Sequence, residues 1–389
     1  MKKALMYIAV VALAGWSVVG CSKWTESDPA FEPDNLPIGG GFDEEYYANL
    51  RAYKSTMHNR RIFFSWYGGW SAVSAYNYGA MAGLPDSMDV VAMWGTGGGM
   101  TEFKKRDMEY IQKVKGTRVI VTDLIGNLDT TKIKEFGWEG DLDPRGAQVN
   151  VAASGTQNMY SAPLTDVQEQ ALRKYARWKI QSILDEGYDG YDIDWELGWY
   201  SAGFVGTLTH YQERMRVYVD EISKFCGPKS GTDKLFVFDG AICYLPTPEM
   251  ARCFDWLVIQ AYDCASYTSL NTATNRGAQA VNRIKVSGMP IDSIIRKLVM
   301  TENYEKYGAT GGRTPYTLEF PIPGKTVASL YGMAVWEPIY EGVRYECSGG
   351  CGAFHIEYEY ESDGGGRPTP YPFAREAIQA MNPAQPIKK

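Results

Sequence analysis

Eight short apolar runs alternating with helical stretches, a length suited to one large domain, and no dinucleotide-type glycine loop predict an α/β chain folded as a single (β/α)8 TIM barrel. The runs are Arg61–Trp66, Met88–Trp94, Arg118–Leu124, Tyr188–Glu196, Leu235–Asp239, Trp256–Tyr262, Lys297–Thr301 and Gly352–Tyr358. Most are rich in Val, Ile and Phe without strict alternation. That is the pattern of parallel strands packed inside a barrel on one face and covered by helices on the other. The clearest helix precedes the fourth run. There Thr165 and Gln168 fit a capping box, Leu172, Ala176, Ile180, Ile183 and Leu184 form one stripe, and Gly187 is placed to end the helix. Helix, glycine and buried strand make a repeating unit, and eight such units close most economically into a barrel. An open doubly wound sheet is the competing arrangement, but no Gly-x-Gly-x-x-Gly follows the first run. The longer interruptions, Asn127–Leu164 and Cys264–Ile291, are expected to be loops and small helices at strand ends. The barrel is placed at residues 42–382, with 383–389 as a tail.

Of the 389 residues, 45% are hydrophobic and 22% charged, so the chain can bury a substantial core. A net charge of -7 without a long Lys or Arg run excludes a surface built to neutralise phosphates, and nucleic acid is not an expected partner. The three histidines, His58, His210 and His355, are scattered, so neither a His-rich metal site nor a cofactor is expected. Aromatic residues are plentiful, with 11 Trp and 27 Tyr, and such rings fill cores or stack on sugars.

The amino terminus has the layout of a secretory signal, residues 1–20. Lys2 and Lys3 precede an uncharged apolar run from Ala4 to Gly20. Its end, Val18-Val19-Gly20-Cys21, resembles a bacterial lipobox and marks Cys21 as the expected lipid anchor. The alternative is an uncleaved membrane helix, for which 17 residues reach the short end of a span. Residues 21–41 are polar, contain Pro and end in Gly39-Gly40-Gly41, as a flexible tether would. The expected location is a bacterial membrane, at the outer membrane and cell surface, with the domain held off it as a monomer. Apart from Cys21, the cysteines are Cys226, Cys243, Cys253, Cys264, Cys347 and Cys351. An oxidising compartment would permit bridges, and free buried thiols are the alternative.

The fourth run carries the chemistry. In Asp189-Gly-Tyr-Asp-Ile-Asp-Trp-Glu196, strand alternation puts Asp192, Asp194 and Glu196 on one face and Tyr191, Ile193 and Trp195 on the other. With the apolar set facing the helices, the acids point into the barrel and Glu196 stands nearest the mouth, where barrel active sites lie. Asp189 is out of phase and is expected to bond backbone at the start of the strand. Crowded carboxylates force at least one pKa upward, which leaves a protonated acid near neutral pH. A divalent-cation site or a solvated acidic edge is the other reading; Tyr, Ile and Trp between the acids fit a solvated edge badly, and calcium loops favour Gly and Asn among their acids and a turn.

These eight residues resemble the DxxDxDxE signature of glycoside hydrolase family 18, a family of chitinases and endo-β-N-acetylglucosaminidases on (β/α)8 barrels. The resemblance implies retaining, substrate-assisted hydrolysis of a 2-acetamido sugar. In that scheme Glu196 protonates the leaving oxygen and later activates water. Asp194 holds the acetamido N–H, and Asp192 shares a proton with Asp194. Gln260-Ala-Tyr262-Asp263 resembles the family's Met-x-Tyr-Asp element, which implies that Tyr262 bonds the acetamido oxygen and that Gln260 and Asp263 lie among the substrate contacts. By residue type alone Tyr262 reads equally well as a core aromatic. Gln260 in place of Met resembles the endoglycosidase branch, and the third run, Val119–Gly126, lacks the Ser-x-Gly-Gly element of chitinases.

Other candidates lie at the strand ends. Trp66, Trp70 and Trp94 are placed to stack on sugars or to fill core. Trp336 belongs either to the floor of the site or to a preceding helix, with the helix ahead. On the eighth run His355, Glu357 and Glu359 share parity, so His355 and Glu357 are expected at the mouth, with Glu357 accepting from a sugar hydroxyl, whereas Glu359 and Glu361 read equally well as a solvated tail. The expected substrate is the chitobiose core of N-glycans. The alternatives are chitin oligosaccharides and, in a different class, a non-catalytic glycan-binding protein of the same fold.

Overall fold

The computed structural model describes residues 42–72, 79–95, 99–150, 158–197, 205–273, 275–360 and 370–383. The signal segment, Cys21, the tether and most of the tail lie outside the described residues. Eight parallel strands form the barrel: β1 Ile62–Tyr67, β2 Val90–Met93, β3 Arg118–Leu124, β4 Gly190–Trp195, β5 Leu235–Gly240, β6 Trp256–Gln260, β7 Leu298–Asn303 and β8 Gly350–Phe354. Each pairs with its neighbour in sequence, and β8 closes on β1 through Ile62↔Gly350 to Ser65↔Ala353. The chain is a (β/α)8 TIM barrel.

Strand alternation separates two cores. Ile62, Phe64, Trp66, Val90, Ala92, Ile120, Leu235, Val237, Trp256, Val258 and Val299 pack together as the lumen. Their neighbours, among them Phe63, Val91, Val119, Tyr191, Ile193, Trp195, Phe236, Phe238, Leu257 and Met300, pack outward against the helices. A strand in a barrel is buried on both faces, which is why these runs read as continuously apolar.

Helix α1, Glu44–Lys54, starts at Asp43, whose carboxylate accepts from Tyr46 N at 2.9 Å. Helix α2, Glu102–Tyr110, has Thr101 as its cap. Helix α3, Asp166–Asp185, has the reciprocal Thr165/Gln168 capping box and buries Leu172, Ala176, Ile180 and Ile183. Such a cap contributes about 1 kcal/mol. Helix α4, Gln212–Ile222, packs beside α3, and Arg173 of α3 meets Asp220 and Glu221 of α4 at 2.8 and 2.9 Å.

The Cys264–Ile291 stretch holds small helices as expected, among them α5, Gly277–Lys285, with Ala280, Val281 and Ile284 buried. One expectation needs correction. The eighth strand begins two residues early and ends at Phe354. His355 then takes a left-handed backbone (φ 56°) and Ile356–Glu359 form a 3-10 turn, so the strand parity assigned to His355, Glu357 and Glu359 does not exist.

Glu359 is fully buried. Its carboxyl meets the backbone N–H groups of Phe373 and Ala374, at the start of α6, Pro372–Met381. Burial pushes its pKa up to about 8, against the opposing effect of those N–H groups. The folded state therefore holds a proton that the unfolded chain releases above about pH 4.3, and this contribution to stability is lost as pH rises towards 8. Glu359→Gln keeps the acceptor and removes the titration. Its unfolding free energy should exceed that of the wild type at about pH 8, by an amount on the order of a few kcal/mol, and the two should converge near pH 5. Parallel pH profiles for the two proteins would exclude this role.

Candidate active site

The site is built on β4. Its register with β3 sets Thr122 beside Asp192, and its register with β5 sets Asp194 beside Asp239. Asp192 and Asp194 point into the lumen, while Tyr191, Ile193 and Trp195 pack outward. Glu196 directly follows the strand at the C-terminal mouth and is partly exposed. Asp189 sits at the other end, where its carboxylate accepts from Val119 N at 3.0 Å and Gln112 Nε2 at 2.8 Å.

Asp192 lies deepest. Its Oδ2 accepts from Thr122 Oγ1 at 2.8 Å and from Trp66 Nε1 at 3.0 Å, across the barrel. Burial raises the pKa of Asp192 against these donors. Asp194 is raised too, first by burial and then by the charges of Glu196 and Asp192. Burial likewise raises Glu196, opposed by hydrogen bonding from Gln260. A carboxyl raised in this way keeps its proton nearer neutrality, as a general acid requires. Asp239 completes the group. It is fully buried, and Gln260 Nε2 spans Asp194 Oδ1 at 3.4 Å and Asp239 Oδ1 at 3.3 Å. Sequence reasoning missed Asp239, although Leu235, Val237 and Asp239 share parity and the first two fill the lumen.

Tyr262, two residues beyond β6, is partly exposed, and its ring stacks on Phe354 with centroids 6.3 Å apart. Burial, together with Asp239, Asp194 and Glu196, raises its phenol well above the usual range, so it stays a hydrogen-bond donor. Asp263 departs from its expected place. A left-handed backbone (φ 62°) breaks the strand alternation, and its exposed side chain pairs with Lys306 at 2.9 Å and bonds Tyr307. The Asp263 N–H donates to buried Glu302 at 3.1 Å, which anchors the turn that follows Tyr262.

The aromatic candidates divide. Trp66 is 1% exposed and bonded to Asp192, so it presents no face to a sugar. Trp70 is buried and donates to Asp107 at 2.8 Å, and Trp336 is packed into the outer core beyond helix Ser329–Ala334. Trp94 is partly exposed at the mouth, edge-on to Phe354 at 5.6 Å. Phe354, the last residue of β8, was not singled out in the sequence, where Trp336 drew attention as the nearer resemblance. Trp94, Phe354 and Tyr262 form one aromatic rim. His355 and Glu357 do come together, bonded to each other, and Glu357 accepts from Gly68 N at 3.0 Å at the end of β1.

The six cysteines among the described residues are free, and all but Cys347 are buried. No group of three or more His, Cys, Asp or Glu among the described residues is arranged to hold a metal ion, and no described helix is long and apolar enough to cross a membrane. A cavity of about 490 Å³ opens at the opposite, N-terminal face, lined by His58, Asp255, Trp256 and Lys297, and shares no residue with the carboxylate group.

A parallel barrel with carboxylates rising through its lumen to the C-terminal mouth defines a barrel enzyme of the glycosidase class. The chain matches glycoside hydrolase family 18, BT1044-like, over residues 25–380, and it belongs to that family. It is 26% identical over 358 residues to endo-β-N-acetylglucosaminidase F2 of Elizabethkingia meningoseptica, covering 86% of this chain and 85% of that protein. Among solved structures, a selenomethionine form of BT1044 with a glutamate-to-glutamine substitution is similar, with a TM-score of 0.64 and 25% identity, covering 91% of this chain and 96% of that one. An endo-β-N-acetylglucosaminidase from Cordyceps militaris, a double variant in complex with fucosyl-N-acetylglucosamine-Asn, shares the fold, with a TM-score of 0.53 and 16% identity over 88% of this chain and 97% of that one. The protein is thus a family 18 glycoside hydrolase.

Proposed function

We propose that the protein is an endo-β-N-acetylglucosaminidase that cuts the chitobiose core of N-glycans by a retaining, substrate-assisted mechanism, anchored to the outer membrane through Cys21. The observation that carries the reading is the lumen-facing series Asp192, Asp194 and Glu196, with only Glu196 reaching the partly open mouth. Glu196 donates its proton to the glycosidic oxygen as that bond breaks. The carbonyl oxygen of the sugar's 2-acetamido group attacks the anomeric carbon and forms an oxazolinium ion. Asp194 accepts the amide N–H and offsets the positive charge, which matters most in a site that excludes water. The Tyr262 hydroxyl donates to the acetamido oxygen and aligns it for attack. Glu196, now a carboxylate, takes a proton from the water that opens the ring on the same face. Trp94 and Phe354 offer apolar ring surface to the sugar, and His355 and Glu357 sit where its hydroxyls would pass.

The N-glycan preference rests on the missing Ser-x-Gly-Gly element, on Gln260 in place of Met, and on the similarity to the Elizabethkingia endoglycosidase. Incubation with high-mannose and complex N-glycoproteins and with chitooligosaccharides, followed by mass analysis, tests it. A glycoprotein product that retains a single N-acetylglucosamine on Asn is expected. Cleavage of chitooligosaccharides alone would make the protein a chitinase, and binding without any cleavage would make it a glycan-capture protein.

A further inference from the structure

Three buried aspartates, Asp192, Asp194 and Asp239, converge in the lumen, each at most 4% exposed. The described residues that donate to them are Thr122 and Trp66, both to Asp192 Oδ2, and Gln260, which spans Asp194 and Asp239. Asp239 is itself hydrogen-bonded, carboxyl to carboxyl, to both Asp192 and Asp194. No Lys, Arg or His among the described residues bonds or pairs with the three, and their other ionisable neighbours include Glu196, Tyr262 and, beside Asp192, Asp123. Three adjacent carboxylates cannot all be ionised in a dry interior, so at least one proton is held within the group. Its place follows from the donors. Asp192 accepts two well-formed hydrogen bonds as an acceptor, which favours its anion. Asp239 accepts only the long Gln260 contact and faces both other carboxyls, to which it donates, which favours its acid form.

We propose that Asp239 is a positioning residue that carries the proton of this group and so controls the charge of Asp194. This rests on the substrate-assisted reading above. Before reaction the proton is shared between Asp239 and Asp194, which face each other across paired strands. When Asp194 accepts the acetamido N–H, the Asp194 O–H bond breaks and an O–H bond forms on Asp239. Asp194 is then a full anion beside the oxazolinium. The proton returns when the sugar leaves, and no other atom is gained or lost. Asp192 remains ionised throughout, held by Thr122 and Trp66. Burial, with Asp192 and Asp194 as charged neighbours, raises the Asp239 carboxyl well above the usual range, in agreement with this assignment.

Asp239→Asn tests the proposal. The amide cannot take a proton, and it offers Asp194 a standing N–H in competition with the sugar's. The expected result is a fall in kcat of about tenfold to a hundredfold with KM changed by less than about threefold. The acid limb of the pH profile should move to lower pH, because the amide favours the Asp194 anion. A variant that is less stable but keeps wild-type kcat and acid limb would reduce Asp239 to a packing residue and overturn the proposal. Infrared difference spectra at neutral pH provide a readout independent of substrate. A protonated-carboxyl band should be lost in Asp239→Asn and kept in Asp192→Asn. The reverse pattern overturns the assignment, and Asp192→Asn alone decides it if Asp239→Asn does not fold. A wild type inactive on every glycan would sink the substrate-assisted reading and still leave the infrared result to place the proton.

Discussion

Glu196→Gln should lower kcat by at least about a thousandfold while leaving glycan affinity within a fewfold of wild type. The amide matches the carboxyl in shape, so the mouth keeps its form, but it can neither protonate the leaving oxygen nor deprotonate water. Both half-reactions fail together. The partial exposure of Glu196, against the near-complete burial of Asp192 and Asp194, is the reason this acid and not the others meets the glycosidic bond. Product mass analysis with parallel calorimetric binding separates the two parameters. Wild-type turnover in this variant would remove Glu196 from the mechanism.

Gly190→Ala should cost the fold about 3 kcal/mol or more. Gly190 pairs with Leu235 of β5, and a methyl group there would lie 2.1 Å from the Leu235 carbonyl oxygen and 2.8 Å from its carbonyl carbon and amide nitrogen. All three are backbone atoms, so no rotamer change relieves the contact, and β4 would have to move away from β5. Asp192 and Asp194 would move with it, and activity should fall beyond what stability alone explains. Urea denaturation measures the first effect, and a midpoint equal to that of wild type would show that the strands tolerate a side chain here. The glycine in the acidic motif thus answers to a close backbone approach rather than to chemistry.

Much of the site was legible because a strand writes its geometry into its sequence. In Tyr191-Asp-Ile-Asp-Trp195 polar and apolar residues alternate, so both faces could be assigned before any contact was known. The helix before it carried its own signals, a capping box and an apolar stripe, and the structure has both. The eighth strand was misread for a physical reason. Gly349 and Gly350 lie before the apolar residues that marked the run, yet a Cβ on Gly350 or Gly352 would meet a backbone oxygen of β1 at 2.0 or 1.5 Å, so the barrel closes through glycines. The end of the strand at Phe354 and the left-handed turn at His355 removed the parity of His355, Glu357 and Glu359. Trp66 failed as a sugar platform because its position at a strand end does not reveal that its indole reaches across the lumen to Asp192.

By itself, the sequence determined the eight-strand barrel, the acidic strand and the order of its carboxylates from the interior to the mouth. Those properties follow from period and residue type along one segment. Only the tertiary structure decided which distant residues meet that strand. It brought Asp239 alongside Asp194, aimed Trp66 and Thr122 at Asp192, set Phe354 against Tyr262 and turned Asp263 away. Register between strands and the sign of one backbone angle set those contacts, and neither is encoded in the local pattern of any single run.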